Sequence, residues 1–321
     1  MPSLPAPTTP GTGRPPPPEG WRSLAWLAVL GMLVAVAIFA GSFVLGRRAI
    51  LAGIAATDLV ALRYGIAGLV LLPVLLLSRG RAVLTRLGWR CAVLLAALGG
   101  APYHLATAAA LAFAPAGHGV VLNPGTVTLA AIAIAATQGE RLGRWALLGV
   151  PLMIAGLLLV AGDGLAGRPG LPHVWVGDLL LVGSGVAWAF YGVLLRRWGL
   201  DALSATAIVG VLSLLAWLPP YLVLAGARLA AAPRGEVILQ GAFQGLLAGG
   251  AAIVLYSYAV SVLGVARAAL FPPLVPVIGL VLAAAMLEEA VGPWQAVGMG
   301  ATVAGMALAA IRGRPKGRPT G

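Results

Sequence analysis

Ten apolar stretches follow one another along the chain, each near the ~20 residues that cross a bilayer as a helix. They run over 23–45, 57–77, 91–113, 116–137, 145–162, 177–195, 202–224, 237–258, 264–286 and 293–311. Pro, Gly and Arg punctuate nearly every break, as in Ser78-Arg79-Gly80-Arg81 and Gly167-Arg168-Pro169-Gly170. The closest pair of segments is parted by Ala114-Pro115-Ala116-Gly117, which reads as a tight turn. Across the 321 residues 60% are hydrophobic and 9% charged, with a mean hydropathy of +0.98. A soluble domain carries about 25% charged residues, so the pattern predicts an all-α integral membrane protein with ten transmembrane helices.

The pattern also repeats. Glu140-Arg-Leu-Gly143-Arg-Trp145-Ala-Leu-Leu-Gly149, then Gly156, returns 149 residues later as Glu289-Ala-Val-Gly292-Pro-Trp294-Gln-Ala-Val-Gly298, then Gly305. The same shift carries Pro124 onto Pro273, Arg47-Arg48 onto Arg196-Arg197, and Val44-Leu45 onto Val193-Leu194. It also sets Leu263-Gly264 against the turn at Ala114-Pro115. Apolar residues alone would match by chance here; a Glu, a Trp, a Pro, an Arg pair and two Gly pairs at one offset would not. The organisation is therefore a tail over 1–22, a five-helix repeat over 23–162, a second over 177–311, and a basic tail over 312–321. Five spans per copy is an odd number, so the second copy starts on the opposite side of the membrane. Two such inverted halves are the sequence signature of a secondary transporter, because they can exchange conformations.

Charge sets the orientation. With the N-terminus inside, 15 of the 21 basic residues fall on the inner side, among them Arg79, Arg81, Arg86, Arg90, Arg141 and Arg144. Five fall outside (Arg47, Arg48, Arg168, Arg228 and Arg234), and Arg63 lies within the second span. By the positive-inside rule both termini face the cytoplasm, in a multi-pass protein of the cytoplasmic (inner) membrane. The net charge of +12 is thereby a topology signal and not a nucleic-acid footprint. The first 20 residues hold eight prolines and predict a disordered or polyproline-like cytoplasmic tail. They lack the order of a signal peptide. Cys91, the one cysteine, forms no disulfide or metal site within the chain.

These residues resemble a known family, the EamA domain pair of the drug/metabolite transporter superfamily. The resemblance covers about 23–311. It rests in both halves on a Pro sixteen residues before a Glu, with Gly nine and sixteen residues after that Glu. Trp188-Ala189-Phe190-Tyr191 is similar to the pattern usual in the first helix of each such domain, and Arg63 to an Arg in the second. The first copy departs from this, with Phe39 where Trp188 stands in the second. The resemblance implies ten helices in two inverted repeats and secondary transport of small metabolites, often outward; it does not imply which metabolite.

Candidate chemistry is sparse. His104, in Gly99-Gly100-Ala101-Pro102-Tyr103-His104, sits near mid-span, where an ionisable group is costly and a substrate or proton role is the hypothesis to weigh. A neutral histidine held by a neighbouring carbonyl is the plainer account. Pro124 and Pro273 interrupt corresponding helices, as expected of segments that line a substrate path, and Asn123 offers an amide beside them. Tyr103, Trp188, Tyr191, Gln244, Tyr256 and Tyr258 supply the aromatic faces and polar handles of a small-ligand site, with interfacial anchoring as the alternative. These residues are the candidate substrate-binding set. His118 reads as interfacial and Asp58 as a helix N-cap. Arg63 reads as tied to carbonyls or lipid phosphate, with a substrate carboxylate as the rival partner. Glu140 and Glu289 read as favouring the N-termini of the helices they precede, with gating contacts second. The Gly149/Gly156 and Gly298/Gly305 pairs permit close helix approach, in an outer scaffold or a dimer face.

The expectation is a permease moving a small metabolite by alternating access, with export of amino acids or related compounds favoured. Its partners are the substrate, membrane lipids and, as coupling ion, protons. A homodimer is allowed but not indicated. No cofactor is expected, and no G-x-x-x-x-G-K-[ST] loop is present. An uncoupled facilitator or channel is the first alternative. A membrane-embedded lipid enzyme is the second, disfavoured by three scattered histidines (104, 118 and 173). A structural or sensory subunit is the third.

Overall fold

In a computed structural model, described for residues 21–311 apart from 78, 141, 166–170 and 290, the chain is helical throughout. Both tails lie outside the described residues. The helices are α1 (Trp21–Leu51), α2 (Ala56–Leu76), α3 (Arg79–Leu87), α4 (Trp89–Gly99), α5 (Ala101–Phe113), α6 (Ala116–Thr137) and α7 (Arg144–Leu165). They continue as α8 (Val174–Arg197), α9 (Ala202–Ala231), α10 (Arg234–Gln240), a π-helical segment Gly241–Ala251, α11 (Ala252–Leu263), α12 (Val265–Ala268), α13 (Leu274–Leu287) and α14 (Pro293–Ala310). Among the described residues, eight helices are long and apolar enough to cross a membrane, α4–α5 and α10–α11 each counting as one; α13 is a shorter apolar helix. Outward faces carry Leu69, Val223, Leu224 and Trp26, all exposed, as lipid contact requires.

Of three irregularities, only the broken ninth segment was expected, from its prolines. The third apolar segment breaks at Gly100, between α4 and α5. The corresponding stretch of the second half is the π-helical turn containing Gly249, the residue 149 positions after Gly100. The ninth segment is not one helix: α12 stops after four residues, and Pro272 and Pro273 lie in the turn before α13. Each proline removes a backbone donor, and adjacent prolines remove two. Its counterpart α6 stays continuous through the single Pro124. Finally, the Arg-rich linker after α2 forms the amphipathic helix α3.

Helix ends explain themselves locally. Asp201 caps α9 by accepting the Ser204 N–H at 2.9 Å. Asp58 is the third residue of α2, not its N-cap, and reaches back to the Ala55 N–H at 3.0 Å. The segments α6 and α13 both end on a left-handed residue: Gly139 (φ 83°) in the first half and, 149 residues later, Glu288 (φ 53°) in the second.

Packing follows the repeat. The second helices of the two halves, α2 and α9, pack together, as do the fifth, α7 and α14. The first helix of each half packs on the third and fourth of the other: α1 on α11 and α13, α8 on α5 and α6. Exchanging the halves leaves this scheme unchanged. The α7–α14 seam is held by glycine, for a Cβ on Gly149 would stand 2.5 Å from the Gly305 carbonyl oxygen and one on Gly156 2.5 Å from that of Gly298. The glycine pairs thus join the halves along this seam. Because backbone atoms of Gly298 and Thr302, beside the Thr302 hydroxyl, would obstruct the new side chain, Gly156→Val is expected to cost about 1–3 kcal/mol or more. A thermal midpoint of the detergent-solubilised variant within a degree of the parent would contradict this seam.

Candidate functional site

Between the halves lies a cavity of about 450 Å³. It is lined by matched positions of the two repeats: Phe39 with Trp188, Ser42 with Tyr191, Thr107 with Tyr256, Ala108 with Ser257, and Asn123 with Pro272. Each pair is 149 residues apart, so the cavity sits where the two halves meet symmetrically. The chemistry does not share that symmetry. Arg63, His104 and Asn123 belong to the first half, and their counterparts are Leu212, Ile253 and Pro272.

Arg63 is buried in the wall, 9% exposed. Its Nη1 donates to Gln244 Oε1 at 2.7 Å and its Nη2 to the Ala248 carbonyl at 3.1 Å. Both acceptors belong to the π-helical segment, and Gln244 Nε2 in turn donates to the Ser42 carbonyl at 3.1 Å. The irregular helix therefore turns acceptors toward Arg63, a use typical of π-bulges at functional sites. Asp58 does not reach it. That carboxylate accepts from Tyr221 at 3.0 Å and pairs with Arg228 at 3.5 Å.

His104 Nδ1 lies 2.6 Å from the Tyr64 hydroxyl and 3.2 Å from the Gly100 carbonyl. Tyr64 also reaches the Gly99 carbonyl at 3.3 Å, so α2, the α4–α5 break and the imidazole form one unit. Aromatic faces surround it: Tyr103 stands edge-on to His104 with centroids 4.7 Å apart, then comes Trp188 at 4.8 Å from Tyr103, then Tyr191 at 5.0 Å from Trp188. Asn123 is anchored, not free. It accepts from Tyr103 at 3.3 Å and donates to Ser184 at 2.9 Å, fixing the tyrosine.

Of the ten candidate residues, Tyr103, His104, Asn123, Pro124, Trp188, Tyr191, Gln244 and Tyr256 line this cavity. Two do not. Tyr258 is 40% exposed on the outside of α11, because two residues beyond Tyr256 on a helix is another face. Pro273 is buried as the N-cap of α13, and its neighbour Pro272 lines the cavity instead. Phe39, already matched to Trp188 in the sequence, lines the cavity too, and Ser42 could have been found by moving Tyr191 back one repeat. His118 is not interfacial: it is fully buried, with Nδ1 2.7 Å from Asp178 Oδ1, tying α6 to α8. Among the described residues no group of three or more His, Cys, Asp or Glu could hold a metal.

The two ends of the cavity differ. Helices α4 and α5 lead from a cluster of Leu87, Leu194 and Trp198 at one end to Leu111 and Arg47 at the other. At the Arg47 end described residues of both halves close over the cavity. Arg47 donates to the Leu111 carbonyl at 2.7 Å and to Glu289 at 3.4 Å, and Glu289 accepts the Ala116 N–H at 2.9 Å. Glu289 thus caps α6 of the other half and not its own helix α14. Val44, Leu45, Gly46 and all of 114–123 are buried around it. At the opposite end the equivalent residues, Arg196 and Glu140, are both exposed and share no ion pair, and Val193, Leu194 and Leu195 are only half-buried.

Comparison with known proteins places this geometry. The description of the EamA-like transporter family fits the chain twice, over residues 16–162 and 175–311. An uncharacterized protein of Pseudomonas aeruginosa, PA1977, is 33% identical over 298 residues, covering 89% of this chain and 94% of its own length. A protein of known crystal structure aligns with a TM-score of 0.53 at 21% identity, over 89% of this chain and 95% of its own, a likeness of fold alone.

Proposed function

We propose, from the premise that the chain belongs to the EamA-like transporter family, a secondary permease working by alternating access on a small metabolite. The reading has ten crossings in two inverted five-helix repeats, both termini in the cytoplasm, and export across the cytoplasmic membrane as the working direction. Its domains are the tails 1–22 and 312–321 and the repeats 23–162 and 177–311. Amino acids and related compounds are the first substrates to test.

The carrying observation is a cavity lined by equivalent positions of both halves, sealed at one end and loose at the other. Two-fold exchange of the halves would move the seal to the other end without new design. In the proposed orientation the sealed Arg47 end faces outward, so the state described is inward-open. The arginine bias of the linkers supports that orientation. The eight cavity residues form the proposed substrate site, and His104 is the proposed proton-coupling group.

Counterflow in proteoliposomes tests the reading, using a labelled panel of amino acids and purines with and without a pH gradient. Saturable exchange accelerated by unlabelled compound inside is expected of a carrier. Flux that neither saturates nor shows counterflow would establish an uncoupled facilitator. For the coupling role, His104→Gln is expected to flatten the pH dependence of exchange while leaving exchange measurable. If the pH profile survives the substitution, protons do not act through His104.

A further inference from the structure

We infer that the transported species is an organic monoanion, typically a carboxylate, with an apolar or aromatic body, and that Arg63 is the group that recognises its charge. The inference rests on the transport reading and narrows it to one substrate class.

Arg63 is the one permanently charged side chain on the cavity wall among the described residues, and no Asp, Glu or Lys lines it. A guanidinium has five N–H donors. Two of these meet neutral acceptors, Gln244 Oε1 and the Ala248 carbonyl. The Nε–H and one hydrogen on each terminal nitrogen have no protein partner, although the residue is nine-tenths buried. A cation at membrane depth without a counter-charge is expensive, and neutral acceptors orient it without neutralising it. A carboxylate entering the cavity would complete the pair, and the planar fork suits two-point contact.

The rest of the wall describes the rest of the ligand. Trp188, Tyr191, Phe39 and Tyr256 offer aromatic faces in a space suited to a small organic molecule. The same wall argues against a zwitterion as best substrate. With no carboxylate on the wall, an ammonium would share the cavity with Arg63 and find no counter-charge, only π-faces, the His104 imidazole, hydroxyls such as those of Thr107 and Ser257, and occupied amides. Asn123 already has both ends engaged. The class is therefore organic monoanions, and not the zwitterionic amino acids.

The test is thermal stabilisation of purified protein in neutral detergent by a charge-sorted set built on one skeleton: 3-phenylpropionate, 3-phenylpropionamide, phenethylamine and phenylalanine. These are accompanied by a wider metabolite library sorted in the same way, and counterflow is run on the hits. The carboxylate is expected to act at concentrations at least ten-fold below the amide and phenylalanine, and library hits to gather among monoanions. In Arg63→Gln the carboxylate-to-amide preference is expected to fall at least ten-fold, while Arg63→Lys keeps part of it. If Arg63→Gln does not fold, the wild-type charge ranking decides alone. Hits among zwitterions, cations or neutral compounds, or no monoanion hit in the library, overturn the assignment. Stabilisation by phosphatidylglycerol but by no soluble anion also overturns it, making Arg63 a lipid anchor. Absence of counterflow for compounds that do bind counts against transport and leaves the recognition of anions standing.

Discussion

Reversing one charge at the sealed end is expected to open it. In Arg47→Glu the new carboxylate would face Glu289 at the site of a pair that is largely enclosed, with side chains 9% and 17% exposed. Breaking a buried pair by removing one partner costs about 3–5 kcal/mol, less near solvent, and placing a like charge there adds repulsion. The Leu111 carbonyl would also lose its donor. Since the two states of a carrier differ by only a few kcal/mol, a change of this size redistributes them. A cysteine at Ala108, which lines the cavity toward the sealed end, reports the change. In a Cys91→Ser background it should resist a membrane-impermeant maleimide added outside, and react at least ten-fold faster with Arg47→Glu present. The double exchange Arg47→Glu with Glu289→Arg should restore protection in part, since the reversed pair still attracts but the α6 cap is lost. Equal labelling in parent and single variant would mean that the pair does not hold the closed end.

The second large effect concerns the pair that is absent. Glu140 and Arg196 occupy the positions of Glu289 and Arg47 one repeat earlier and later, yet both stand in solvent. If the halves exchange roles, these two meet when the end proposed to face the cytoplasm closes, and the Arg47–Glu289 contact parts. Cysteines at 140 and 196, in the same background, are expected to be joined by a short bismaleimide only in membranes where exchange is running. Flux should then drop to background, because one state is trapped. Full flux after complete crosslinking would refute the exchange.

Much of this was legible in the chain, for identifiable reasons. The repeat carried the architecture because glycines, prolines and a glutamate at fixed spacing are demanded by backbone contact, not by hydrophobicity. The α7–α14 seam is where that demand is visible. The cavity aromatics were legible because a polar edge at mid-span has few other uses. What escaped were contacts made across the halves. Glu289 precedes α14 in sequence but caps α6 in space. His118 looked interfacial until its partner Asp178 was brought from another helix. Arg63 was readable as a costly residue, but not its partners, which depend on a π-helical turn that no periodicity announces. Tyr258 was grouped with Tyr256, although two residues along a helix is another face.

The interrupted ninth segment links the protein to the lipid around it. Its regular part, α13, is 14 residues long and spans about 21 Å at 1.5 Å per residue, against a hydrocarbon core of about 30 Å. Its counterpart α6, with 22 residues, spans about 33 Å. If the halves exchange forms, α6 must bend at Pro124 as α12 and α13 straighten, so each state holds one short and one long helix and the shortfall only changes sides. The lipid is then asked to thin beside a different half in each state, so acyl-chain length acts on the rate of exchange more than on its equilibrium.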